Sequence, residues 1–328
     1  MLHIYYLFCA TFRLILAFSH AAWYFRWHAS RVLDLPESMA IGADEKRRLK
    51  HYFFGTTYLA ALMCCLRNNP LTRSEKLLFT KLSALSCSFD DLVDTFQLRD
   101  CADLLWQDNP EAFGRAVDQR GLAWHLLQNI FRILPEHQLG LFRAYMHRVF
   151  RVEMTEKQKS SSLRDPDIEE LKRITAEKGG NSVLLFRSVL SHPLAAAEEN
   201  ALYQFGHLIQ YCDDIFDLWH DHKSGAVTLA SSLAAQGDLA LLSTLFEQQV
   251  AATHLAFRKT PYPSGQVETT SYILHFLVSI TRVCLRNYLD LERKYKVLPL
   301  VNRTLIVVDM DNWLNRFLAI RFLLRPLP

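Results

Sequence analysis

The run Gly206-His207-Leu208-Ile209-Gln210-Tyr211-Cys212-Asp213-Asp214-Ile215-Phe216-Asp217-Leu218-Trp219-His220-Asp221 says most about how this chain folds. Its apolar residues recur at helical spacing, not in the alternation of a half-buried strand. Asp213, Asp217 and Asp221 stand at i, i+4 and i+8, so they share one face as a stripe about 12 Å long. Carboxylates so placed repel one another, and their apolar setting argues against a merely solvated face. A second segment of this kind lies upstream, Ser86-Cys87-Ser88-Phe89-Asp90-Asp91-Leu92-Val93-Asp94-Thr95-Phe96. Asp90 and Asp94 are about 40° apart on that helix, with Asp91 at the edge of the face. Clustered carboxylates need a cation, and hard, oxygen-seeking Mg²⁺ suits them because it binds one or two carboxylates together with phosphates. Two such walls facing one another across a helical bundle would hold several Mg²⁺ ions around a diphosphate.

On either side of these segments the chain also reads as all-α. It has 328 residues, half of them hydrophobic and 22% charged, which excludes intrinsic disorder. Gly and Pro number 11 each, about 3% apiece against usual shares of about 7% and 5%, too few for the many turns of a sandwich or a doubly wound sheet. Breakers divide it into helical segments at 2–30, 44–67, 72–99, 110–134, 136–159, 165–178, 181–222, 238–259, 266–296 and 302–324. Thr72-x-x-Glu75 is a capping box, and Asn68-Asn69-Pro70, Gly179-Gly180 and Ser224-Gly225 read as stops or joints. With no evident linker, residues 1–328 are expected to form one helical-bundle domain. The formal net charge of +3 and the lack of a basic patch interleaved with aromatics make nucleic acid an unexpected partner. Seven unpatterned Cys suggest neither a disulfide framework nor a zinc site, and with them a reducing, cytoplasmic setting. The apolar stretch Leu2–Phe25 is interrupted by Arg13, which leaves it short of the roughly 20 residues that span a bilayer. It is read first as a helix packed into the core; peripheral membrane contact and an export signal are the alternatives.

The ordered pair of acidic motifs resembles the class I isoprenoid synthase superfamily of terpene cyclases and trans-prenyltransferases. Asp90-Asp91-x-x-Asp94 is similar to the first aspartate-rich motif, and Asp213-x-x-x-Asp217-x-x-x-Asp221 has the spacing of the cyclases' second metal motif, although every position here is Asp. The match covers residues 86–232 well and the rest only by helical composition. It implies three Mg²⁺ ions held by Asp90, Asp91, Asp94, Asp213, Asp217 and Asp221. Arg173, ahead of Lys178-Gly179-Gly180, resembles the cyclases' diphosphate-sensing Arg beside a kinked helix. Lys178, Lys223 and the Arg293-Lys294-Tyr295 segment complete the implied diphosphate-binding set. The catalytic set so implied is Asp90, Asp94, Asp213, Asp217 and Arg173. Prenyltransferases usually carry an Arg-Arg pair after the first motif and a Gly-Lys-Arg segment near the N-terminus; only Arg99 follows Asp94 here. The expected activity is therefore ionisation of one prenyl diphosphate to a terpene hydrocarbon or alcohol, with chain elongation by isopentenyl diphosphate as the alternative. Phe89, Phe186, Tyr211 and Phe216 could face a carbocation in a dry cavity, with 222–232 as a lid. Ser86 and Gly206, small and beneath the motifs, imply room for a C15 to C25 chain. A dinuclear hydrolase using His207, His220 and His222, or a helical interaction protein without catalysis, are the readings from other classes. Homodimerisation stays open.

Overall fold

The computed structural model describes residues 2–33, 42–95, 119–160 and 167–325, and among them only helices form. In chain order these are α1 (Leu2–Leu33), α2 (Ala43–Arg67), α3 (Arg73–Thr95), α4 (Gln119–Ile133), α5 (Glu136–Ser160), α6 (Ile168–Arg187), α7 (Ala196–Phe216), α8 (Leu218–Ser224), α9 (Leu229–Gln236), α10 (Leu239–Arg258), α11 (Ser264–Tyr295), α12 (Arg303–Ile306) and α13 (Trp313–Leu323). The all-α class expected from the shortage of breakers holds across these residues. Packing groups the chain into two compact units interleaved in sequence: Cys9–Tyr145 with Leu185–Pro193, and Met1–Phe8 with Met146–Leu184 and Leu194–Pro328.

In the first of these units α3 packs between α2 and α4. Leu59, Leu62 and Leu66 of α2, Leu78, Leu82 and Leu85 of α3, and Leu122, Leu126 and Ile130 of α4 are buried there, each set at the spacing that gives a helix one apolar face. The expected capping box forms. Thr72 N–H donates to Glu75 Oε2 at 2.8 Å, and Glu75 N–H to Thr72 Oγ1 at 3.3 Å. Glu75 also does something local sequence does not reveal. Its carboxylate is only 2% exposed, takes both Arg67 terminal nitrogens at 3.1 Å, and accepts from the Ser191 N–H and hydroxyl at 2.9 and 3.0 Å. It thereby joins the end of α2, the start of α3 and the turn after α6.

These bonds outweigh the burial that would raise its pKa and bring the Glu75 carboxyl down to about 2. Glu75→Gln would strand the Arg67 guanidinium in a buried place, and a loss of about 3 kcal/mol is expected in urea unfolding. Because the folded pKa is depressed, the stabilisation is complete above the ordinary carboxylate pKa and disappears as pH falls through about 2. The variant and the wild type should therefore converge in stability in strong acid, and a gap that stayed constant with pH would contradict this role for Glu75.

In the other unit α7 packs on α10 and α11, burying Leu202, Phe205, Leu208, Leu242, Phe246, Val250, Ile273, Leu274 and Val278. The glycine pair 179–180, expected as a joint, instead lies inside the uninterrupted helix α6. The reason is a contact distant in sequence. A Cβ on Gly179 would stand 2.1 Å from the Gly206 carbonyl oxygen, and one on Gly206 would stand 2.2 Å from that of Gly179. The two backbones touch, and Gly180 is closed off in the same way by the Tyr203 ring. Glycine is used here for close approach, with no break of the helix.

α1 also departs from expectation. Ala10, Leu14 and Ala21 are buried, but only 11% of the apolar stretch Leu2–His28 is buried, so this is no core helix. The segment expected at 302–324 is two helices, because Asn312 caps α13 by accepting from the Leu314 N–H at 2.9 Å and sets α13 apart from α12.

Candidate functional site

The Gly179–Gly206 crossing fixes what lies beside it on each helix. On α6 these are the adjacent Lys178 and, one turn back, Thr175; on α7, one to two turns on, Gln210, Asp213 and Asp214. Asp214 is buried, accepting from Gln210 Nε2 at 2.8 Å and from the Thr175 hydroxyl at 3.4 Å. Gln210 Nε2 also reaches Asp213 Oδ2 at 3.2 Å. Lys178 Nζ pairs with Glu156 at 2.7 Å and Glu153 at 3.4 Å, both from α5. Burial works against the Lys178 charge, but Glu153 and Glu156 outweigh it and hold the ammonium well above its ordinary pKa.

The acidic stripe survives a change of helix. α7 ends at Phe216 and α8 begins at Leu218, yet Asp217 N–H still donates to Asp213 O at 2.9 Å and Asp221 N–H to Asp217 O at 2.8 Å. Asp213 and Asp217 are exposed, and Asp221 is half-buried with its Oδ2 accepting from the Thr228 hydroxyl at 3.0 Å. Burial, together with the charges of Asp217, Asp213 and Glu156, pushes the Asp221 carboxyl up to about 7 despite that hydrogen bond. Partial loss of solvent around its carboxyl raises Asp217 too, and burial holds Asp214 well above the usual range, with Asp213 and Glu156 adding to it. Glu153, Glu156 and Asp214 thus surround the Lys178 ammonium, and the Asp213, Asp217, Asp221 stripe runs on from Asp214, with Glu156 close enough to raise Asp221. Glu153 and Glu156 are the members that sequence reasoning missed, since two acids at i, i+3 on a polar helix look like a solvated face.

On α3, Asp90 Oδ2 accepts a hydrogen bond from the Tyr52 hydroxyl of α2. Burial and the Asp90 charge raise the Tyr52 pKa, so the phenol stays protonated and donates. The side chains of Asp91 and Asp94 lie outside the described residues, although the α3 backbone is helical through Thr95.

The remaining candidates are placed as follows. Arg173 is half-exposed and paired along its own helix with Glu170 at 2.9 Å and Glu177 at 2.7 Å. Arg293 and Tyr295 lie at the exposed end of α11, where Arg293 pairs with Asp290 and Lys294 stacks over the Tyr295 ring. Lys223 is exposed with its ammonium over Trp219. None of these cations is drawn into the carboxylate cluster. Ser86 returns its hydroxyl to the Leu82 carbonyl at 3.0 Å. Phe89 and Phe216 are half-buried. Phe186 is buried against Phe79, and Tyr211 against His207. Helix contact accounts for Gly206 as a small residue. The connection expected as a lid is short and capped: α8 ends on Gly225 in the left-handed region, and Thr228 opens α9 with reciprocal bonds to Ser231. His207 is half-buried, and its pKa is lowered by burial to about 4. His220 and His222 are exposed on α8, so these three His do not converge as a dinuclear hydrolase would need.

All donors in the cluster are carboxylate oxygens, which suits Mg²⁺ over softer ions. Among the described residues no three acidic, His or Cys side chains enclose an ion by themselves. An ion that keeps its waters and takes phosphate oxygens asks for only one or two carboxylates. The chain matches no family model, and no curated protein matches it in sequence.

Proposed function

We propose that the protein is a Mg²⁺-dependent terpene synthase of the class I type, ionising one prenyl diphosphate to a terpene hydrocarbon or alcohol. The observation that carries this reading is the stripe Asp213, Asp217 and Asp221, kept in helical register through the junction of α7 and α8, in which Asp217 and Asp221 are held above their ordinary pKa values. A site so short of positive charge is built for more cation than these residues supply. Asp213, Asp217 and Asp221 would hold Mg²⁺ on this unit; a metal role for Asp90, Asp91 and Asp94 is proposed from the resemblance of their motif alone.

Bound Mg²⁺ would neutralise the diphosphate as a leaving group. Lys178 limits repulsion between Glu153 and Glu156 and so keeps the acidic wall together before metal arrives. Gln210 spans Asp213 and Asp214 through one amide and fixes the orientation of both carboxylates. Arg173, able to leave Glu170 and Glu177 at little cost because exposed ion pairs are weak, is the cation that could follow a diphosphate.

Inorganic pyrophosphate with Mg²⁺ should raise the melting temperature of the full chain, whereas either alone should do so far less. Stabilisation by pyrophosphate in EDTA equal to that with Mg²⁺ would count against a metal-bridged site.

A further inference from the structure

α1 presents its apolar residues to the outside. Leu2, Tyr5, Phe8, Phe12, Leu16 and Trp23 are all at least half exposed, and at 100° per residue they fall on one side of the helix along its length. Its opposite side is held by protein. His3 meets the Tyr272 hydroxyl, Arg13 donates to Asn68 at 3.0 Å, Phe18 stacks on Phe54, and Tyr24 and Phe25 pack on Phe53. α13 behaves alike: none of its residues is buried, and Trp313, Phe317, Ile320 and Leu324 form a single exposed stripe. His275 receives α13 through the Phe322 carbonyl at 3.2 Å. Tyr272 and His275 lie one turn apart on α11, so the start of α1 and the end of α13 are anchored side by side.

The charges carried by these two segments of sequence are of one sign. Residues 2–33 and 313–325 contain Arg13, Arg26, Arg31, Arg316, Arg321 and Arg325 and no Asp or Glu, whereas the rest of the chain has 31 Lys and Arg against 34 Asp and Glu. Arg26 lies over Trp27 and Arg325 over Phe322. Arg321 is on the flank of the α13 stripe, and Arg316 flanks the other side while pairing with Asp311. Beneath α1 an apolar cavity of about 380 Å³, lined among others by Leu16, Phe53, Arg13, His20 and Lys76 and by no carboxylate, is continuous with the exposed face at Leu16. Apolar stripes flanked by arginine and tryptophan suit the interface of a bilayer, where rings sit among headgroups and guanidinium groups reach phosphate.

We infer that α1 and α13 lie on the surface of an anionic lipid bilayer. α1 is long and apolar enough to cross one, but crossing would strip away the protein contacts along its inner side, so it lies in the plane of the interface. Membrane binding of this kind is independent of the proposed reaction.

The test is flotation of the full-length protein with vesicles of phosphatidylcholine alone and with phosphatidylglycerol added. The protein should float with the anionic vesicles, and much less with the neutral ones or in high salt. Phe8→Glu with Phe12→Glu should lower the bound fraction at least about tenfold, as should Trp313→Gln with Phe317→Gln, a pair on a separate helix that keeps the test open if the first variant fails to fold. Equal binding to both vesicle types would overturn the anionic assignment. Protein that stays in the aqueous layer and runs as a dimer by light scattering would overturn the inference, because a second copy would then cover these faces.

Discussion

Asp213→Asn and Asp217→Asn are each expected to lower turnover of a prenyl diphosphate by about 10²–10³-fold, the loss typical when one preorganised electrostatic contact to a developing charge is removed. Both side chains are exposed, so the substitution removes charge while leaving shape and packing intact, and circular dichroism and melting should be unchanged. Asp90→Asn should act similarly, with the added loss of the charge that Tyr52 donates to. Asp214 supplies the contrast. Its carboxyl is buried and held well above the ordinary range, mainly by burial, so an uncharged Asn imitates its favoured state. Asp214→Asn should stay within about tenfold of wild type. Equal losses at Asp214 and Asp213 would instead show that the buried residue acts as a charged ligand.

Gly206→Ala should damage folding severely. Its new Cβ would meet the Gly179 carbonyl oxygen at 2.2 Å and the Gly180 Cα at 2.8 Å, all backbone, so only separation of α6 from α7 could make room. The cost should be about 3 kcal/mol or more, read as a lower urea midpoint. Gly55→Ala and Gly140→Ala are the controls: both glycines are helical, neither has a positive φ, and nothing lies within 4 Å of their added Cβ. They should gain about 0.5–1 kcal/mol from the helix preference for Ala. A Gly206→Ala protein as stable as wild type would mean that the helices do not cross so closely.

What the sequence made legible was local. The capping box at Thr72 and Glu75 forms because its partners are three residues apart, and the Asp213, Asp217, Asp221 register holds because the hydrogen bonds at Asp217 and Asp221 carry the helical repeat through the junction. What stayed hidden depended on residues far apart in the chain. Gly179-Gly180 looks like a break unless its partner Gly206 is known. Glu153 and Glu156 look solvated unless Lys178 is seen between them. α1 is apolar on both sides, so its composition gives no sign of which face meets protein. The roles of Arg173, Lys178 and Arg293 rest on resemblance, and in the fold all three are paired with carboxylates.

If one allylic diphosphate and Mg²⁺ suffice for the reaction, product analysis will show it. The full-length protein would be incubated with prenyl diphosphates of C10 to C25, with and without Mg²⁺ and labelled isopentenyl diphosphate, followed by mass spectrometry of the organic products and assay of released diphosphate. The expected result is Mg²⁺-dependent release of diphosphate with an unlabelled terpene hydrocarbon or alcohol, favouring C15 or longer. Label in a longer prenyl diphosphate would make the protein a chain-elongating prenyltransferase, and no turnover of any substrate with Mg²⁺ present would contradict the proposed activity outright.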